Sequence, residues 1–145
     1  MTTYSGNCHC GLIKYTITLP GSIYEQTITS CNCSWCARQA ALFIYFPKKE
    51  AKYFSGEDDR KSYNATLDPA RAFKHKFCPQ CGSYMGWQST EPQPAAFLPG
   101  FEGINVRMLN DIDFSKLKLK LEDTRSKYGE YEVGKWYEEK EKEGT

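Results

Sequence analysis

Apolar and polar residues alternate at every second position along much of the chain. Ile13, Tyr15, Ile17 and Leu19 are separated by Lys14, Thr16 and Thr18, the pattern of a half-buried strand, which Pro20-Gly21 ends. Residues 42–46 form a denser apolar run stopped by Pro47 and fit a central strand. Further strands are predicted at 51–54, ended by Ser55-Gly56, and at 61–65, ahead of a turn at Asp68-Pro69. Phe73, His75 and Phe77 alternate with Lys74 and Lys76 up to Cys78, and residues 83–87 read as the returning strand. Residues 91–100 hold three prolines and read as a loop. Ile104, Val106 and Met108 alternate again, and Leu117, Leu119 and Leu121 predict a last strand or extended arm. Helix is expected to be scarce: one turn after Cys36 and a piece within 127–140.

These elements predict a mainly β, single-domain, antiparallel fold whose loops carry the chemistry. The expected division is a β domain over 1–125 and a partly helical or frayed extension over 126–145. No 20- to 50-residue period recurs, which excludes a repeat architecture. At 145 residues and 40% hydrophobic the chain buries only a modest core. A net charge of +1 argues against an electrostatic footprint for nucleic acid. No apolar run approaches the length of a membrane span.

All seven cysteines fall in three tight groups: Cys8 and Cys10; Cys31, Cys33 and Cys36; Cys78 and Cys81. An odd count, and an opening MTTYSGNCHC without the basic and apolar regions of a secretory signal, disfavour a disulfide framework. Both favour zinc and a cytoplasmic location. Thiols two or three residues apart on a turn converge on one ion. Cys31, Cys33 and Cys36 then form a three-thiolate clamp, leaving Cys8, Cys10, Cys78 and Cys81 to close a four-cysteine structural site. One alternative joins Cys31 and Cys33 to the late pair and groups Cys36 with Cys8 and Cys10. Another completes the clamp with His9 or His75, although His9 reads as a solvated turn residue and His75 as a core or supporting histidine. Structural zinc sites are closed and catalytic ones keep a position free, so a three-ligand clamp points to catalysis.

Gly6-x-Cys8-x-Cys10-Gly11 with Tyr15, then Cys31-x-Cys33-x-x-Cys36 with Arg38, then Phe77-Cys78-x-x-Cys81-Gly82-Ser83 resembles the glutathione-dependent formaldehyde-activating enzyme and centromere protein V family. The resemblance spans about residues 4 to 110. It implies a β-tent fold, a structural zinc on the outer pairs and a labile catalytic zinc on the middle three cysteines, two ions per chain. It also implies a zinc-dependent carbon–sulfur lyase acting on the adduct of a glutathione-like thiol with a small electrophile such as an aldehyde. The competing function class is a non-catalytic zinc module for protein interaction. Arg38 is the candidate anchor for a substrate carboxylate, and Trp35 a candidate pocket wall. Tyr45, His75, Tyr84, Asn105 and Arg107 are weaker candidate helpers. The expected partners are a small-molecule thiol and electrophile, with no nucleic acid and no membrane.

Overall fold

The computed structural model describes residues 1–64, 73–89 and 101–128. Its strands are β1 (Thr2–Asn7), β2 (Lys14–Leu19), β3 (Thr27–Cys31), β4 (Phe43–Pro47), β5 (Ala51–Ser55), β6 (Lys61–Asn64), β7 (Phe73–Phe77), β8 (Tyr84–Ser89), β9 (Phe101–Asn105) and β10 (Lys118–Glu122). Two short helices, α1 (Ser34–Gln39) and α2 (Thr124–Tyr128), complete the described elements apart from single 3-10 turns. A three-stranded sheet runs in the order β1-β2-β5, and a seven-stranded sheet in the order β10-β3-β4-β9-β8-β7-β6. The fold is therefore mainly β, and among the described ladders only β10 with β3 is parallel.

The alternating side chains of β2 do what their pattern requires. Tyr15, Ile17 and Leu19 are buried and meet Ile28, Ile44, Met85 and Ile104 of the larger sheet in the main core between the two sheets. No alternation marks Thr2–Asn7 or Thr27–Cys31 as strands; β1 is formed by its register with β2, Thr2 opposite Leu19 through Asn7 opposite Lys14. Gly6 is required within it, because a Cβ there would sit 2.5 Å from the Tyr15 ring.

The reading of Ile104, Val106 and Met108 as one alternating strand needs correction. β9 ends at Asn105, whose side-chain Oδ1 accepts from the Arg107 amide at 3.2 Å and turns Val106–Met108 into a 3-10 turn. The predicted arm at 117–121 is a strand, but its alternation does not bury one face: Leu117 is buried while Leu119 and Leu121 are 50% and 81% exposed. Helix α1 begins before Cys36 rather than after it. The expected 91–100 loop, the turn at Asp68-Pro69 and nearly all of the 127–140 helical piece lie outside the described residues.

A second, smaller cluster covers the opposite face of the large sheet. Phe43, Tyr84 and Trp87 pack there with Ala41, Cys36, Cys31, Cys33 and Trp35. In a regular strand Tyr84 and Trp87, three residues apart, would point to opposite faces. The β7–β8 ladder instead shifts register between Lys76 and Phe77, so Met85 has no partner of its own; this bulge brings both aromatics to the face that carries α1. Trp87 lies directly on Gly103 of β9, where a Cβ would come within 2.3 Å of the indole nitrogen.

Candidate metal centres

The first centre joins two turns of similar build. Cys8 and Cys10 lie between β1 and β2, where the Gly11 amide donates to the Cys8 carbonyl at 3.1 Å and Gly11 takes φ +82°. Cys78 and Cys81 lie between β7 and β8, where the Gly82 amide donates to the Cys78 carbonyl at 2.9 Å and Gly82 takes φ +75°. A left-handed residue closes each turn so tightly that glycine is the natural occupant. The His9 amide donates to Ser83 Oγ at 3.1 Å and ties the two turns together. His9 itself is exposed and belongs to neither sulfur cluster.

The four sulfurs fit a tetrahedral metal. All lie within 4.8 Å of one another, with Cys8–Cys10 at 3.6 Å and Cys10–Cys78 at 3.7 Å. Zinc–sulfur bonds of about 2.3 Å in a tetrahedron place sulfurs about 3.8 Å apart, whereas a disulfide needs about 2.05 Å. All seven thiols are free. Proton affinities in the cluster are split: the Ser83 hydroxyl beside Cys81 holds that thiol down to about 5. The Leu12 amide pulls Cys10 down too, but desolvation and the Cys8, Cys78 and Cys81 thiols outweigh it and push Cys10 up to about 11. Packed sulfurs resist ionising together, and a bound cation relieves that conflict.

The second centre is built by β3 and α1. Cys31 ends β3, and Cys33 is the N-cap of α1, its sulfur accepting from the Cys36 amide at 3.4 Å. Cys36 stands one turn into the helix, so capping geometry alone brings the Cys33 and Cys36 sulfurs together. The Cys33 amide donates to Cys31 Sγ at 3.4 Å, and the three sulfurs lie within 4.8 Å of one another. Hydrogen bonds from Cys33 and Cys36 drive the Cys31 thiol well below its ordinary range, while the same contacts and burial push Cys36 well above it. Cys31 and Cys36 are thus driven in opposite directions, a conflict that a shared cation would relieve. The sulfur pairs are not exchanged between the two centres, and neither histidine joins the clamp.

His75 acts at one remove. It is buried at 6% exposure, its Nδ1 lies 2.6 Å from the Tyr84 hydroxyl, and its ring stacks on Trp35 at 4.3 Å and 22°. Trp35 also stacks on Tyr63, the cross-strand partner of His75, at 5.0 Å and 16°. The one aromatic inside the clamp thus docks α1 onto β6 and β7, the strand that leads into the four-cysteine turn. Burial pushes the His75 imidazole down to about 4, which keeps it neutral near pH 7. The buried Trp35 indole N–H meets no acceptor at hydrogen-bonding geometry, yet it opposes part of the upward shift that burial imposes on the Tyr84 hydroxyl.

Two of the weaker candidates are structural. Asn105 is 2% exposed; besides turning the chain at Val106, it donates from Nδ2 to the Tyr84 carbonyl at 2.9 Å. Arg107 Nε donates at 2.7 Å to the carbonyl of Ala40, the left-handed C-cap of α1. Tyr45, 42% exposed, rings the clamp beside Trp87 at 5.4 Å. Burial pushes its hydroxyl up to about 12, with Thr29 opposing and negative charge on Cys31 and Cys36 adding to the rise. Arg38 is exposed in the last turn of α1, about 200° around the helix from Cys36. Thr124, 3.1 Å from Cys31 Sγ, was not singled out in the sequence, where 93 residues separate the two and no motif links them.

The family model described as glutathione-dependent formaldehyde-activating enzyme matches residues 3–104, a span that contains every cysteine. The chain belongs to that family. Its fold is similar to that of a Rhodobacter sphaeroides protein of known crystal structure, with a TM-score of 0.61 at 23% identity. The likeness covers 80% of this chain and 99% of that one, and at such identity it is a likeness of fold. No curated protein sequence matches the chain significantly. For this member of the formaldehyde-activating family, the two sulfur clusters are compatible with metal ions such as zinc. No helix among the described residues is long and apolar enough to cross a membrane.

Proposed function

We propose that the protein is a zinc-dependent carbon–sulfur lyase acting on the adduct of a glutathione-like thiol with a small aldehyde. One observation carries this reading. Cys31, Cys33 and Cys36 converge without a fourth Cys, His, Asp or Glu ligand among the described residues, so a tetrahedral ion held there keeps a position for an incoming sulfur. A zinc ion so held would favour the thiolate form of that sulfur, the nucleophile in addition and the leaving group in elimination. The closed cluster of Cys8, Cys10, Cys78 and Cys81 has the structural role.

In the addition direction a bond forms between sulfur and the carbonyl carbon, the carbonyl π bond breaks, and the thiol proton ends on the carbonyl oxygen. Elimination is the reverse. The chain's own residues must position the reactants, exclude water and manage that proton. Trp35, Tyr84 and Phe43 wall the sulfurs on the sheet side, where His75 and Tyr84 hold each other in place. Tyr45 keeps its proton at neutral pH and is the rim hydroxyl suited to donate to the carbonyl oxygen. Arg38, two residues past the clamp, is the guanidinium offered to a carboxylate of a thiol substrate long enough to reach around the exposed side of α1. Seven free thiols suit a reducing cytoplasm, and the near-neutral charge leaves small molecules as the partners.

The test is turnover of the zinc-loaded protein with glutathione and formaldehyde, followed by NMR exchange between free and hydroxymethylated thiol. Acceleration that disappears in Cys33→Ser, with the fold intact, supports the lyase. Absence of acceleration in the zinc-loaded wild type, across several small aldehydes, would leave a zinc-binding interaction module as the better reading.

A further inference from the structure

The family match ends at residue 104, yet a later segment reaches the three-cysteine clamp. β10 runs parallel to β3 with Glu122 opposite Cys31, and the Asn32 amide donates to the Glu122 carbonyl at 3.2 Å. Just beyond, Asp123 Oδ1 accepts from Asn32 Nδ2 at 2.8 Å and from the Ser126 amide at 3.2 Å. Asp123 therefore caps α2 and grips the residue between two of the clamp cysteines with one oxygen. Asn32 answers with its own Oδ1, which accepts from the Arg125 amide at 3.0 Å.

Apolar burial does not account for this strap. Leu119 and Leu121 project largely into solvent, so the segment is held by its ladder to β3 and by these polar contacts, all centred on the Cys31–Cys33 turn. Their joint effect is to set the Thr124 hydroxyl oxygen 3.1 Å from Cys31 Sγ, where it accepts from the protonated thiol.

We propose that Thr124 is a positioning residue of the clamp, its hydroxyl donating to the Cys31 sulfur when that sulfur ligates a metal. This rests on the reading of the clamp as an open metal site. A thiol can donate to a hydroxyl, but a thiolate only accepts, so the hydroxyl must supply the hydrogen. Such a bond fixes the direction of the sulfur lone pairs and withdraws charge from them. Hydrogen bonds to ligating sulfur are a recognised means of tuning a site. Three thiolates make an electron-rich, weakly Lewis-acidic centre, and a hydrogen bond to one of them partly offsets that. The strap thereby makes the fourth position more receptive to an incoming sulfur.

The experiment is cobalt(II) substitution of the full chain, folded with the metal present, as wild type, Thr124→Val and Thr124→Ser, with chelator competition for affinity. Wild type is expected to take up two cobalt ions. Thr124→Val should also take up two, but bind the clamp ion at least about tenfold more weakly, the usual scale for loss of a partner hydrogen-bonded to a ligand. Its sulfur-to-cobalt charge-transfer band should move to longer wavelength, because a thiolate without that hydrogen bond gives up electron density more readily. Thr124→Ser should restore both properties, and the cobalt of the four-cysteine site, unchanged throughout, reports that the fold is intact. Wild-type affinity and spectrum in Thr124→Val, or failure of serine to restore them, would overturn the role of the hydroxyl while leaving the open site standing. Uptake of a single cobalt by the wild type would overturn both.

Discussion

Protonation of His75 offers a quantitative test of how the two halves of the molecule are joined. Burial lowers this imidazole from its ordinary 6.5 to about 4, so the folded protein binds fewer protons there than the unfolded chain at any pH between those values. Stability contributed by the neutral ring is fully present above about 6.5 and is lost as pH falls toward 4. Each unit of separation corresponds to about 1.4 kcal/mol, so lowering the pH from 7.5 to 5 should remove about 2 kcal/mol through this one residue. Acid also protonates thiols and weakens metal binding, so the comparison must be differential. His75→Phe keeps a flat ring against Trp35 and removes the titration. Denaturant unfolding of zinc-loaded wild type and variant at pH 7.5 and 5 should show the wild type losing about 2 kcal/mol more than the variant. The His75 ring signal in NMR should titrate near 4. A ring midpoint above 6, or equal losses in both proteins, would refute the claim that burial in the Trp35–His75–Tyr84 stack keeps the imidazole neutral.

The remaining expectations concern the sulfurs and their surroundings. Cys81→Ser opens the closed cluster and should yield unfolded or aggregated protein, whereas Cys36→Ser should remain folded with about one zinc by metal analysis; equal loss of fold would contradict this division. Gly103→Ala drives a methyl into the Trp87 ring and should cost about 1–3 kcal/mol in denaturant unfolding, with altered tryptophan fluorescence as that side chain shifts. Arg38→Ala should raise KM for the thiol substrate more than it lowers kcat, and an effect on kcat alone would place the arginine in the chemical step instead.

Much of this protein could be read from its sequence because the informative patterns are local. Alternation at 13–19 and 73–77 and the dense apolar run at 42–46 mark strands, and cysteines two or three positions apart are within reach of one ion through the geometry of a turn alone. Elements without such a pattern escaped: Thr2–Asn7 is a strand only because β2 is beside it, and β3 acquires a parallel partner from residues some ninety positions later. The bulge at Met85 is the sharpest case. One residue without a partner reverses which face every later side chain of β8 occupies, so nothing in the spacing of Tyr84 and Trp87 reveals that both stand over the clamp. The same limit hid the helix-docking role of Trp35, the Asn105 and Arg107 bonds that hold the turn and the end of α1, and the approach of Thr124 to Cys31. Which atoms can bind metal, and that strands carry them, is legible in the chain alone, since ligand chemistry and alternation belong to neighbouring residues. What surrounds those sulfurs is set by the folded molecule, because strand register, bulges and long-range pairing depend on energy summed over contacts between segments far apart in the chain.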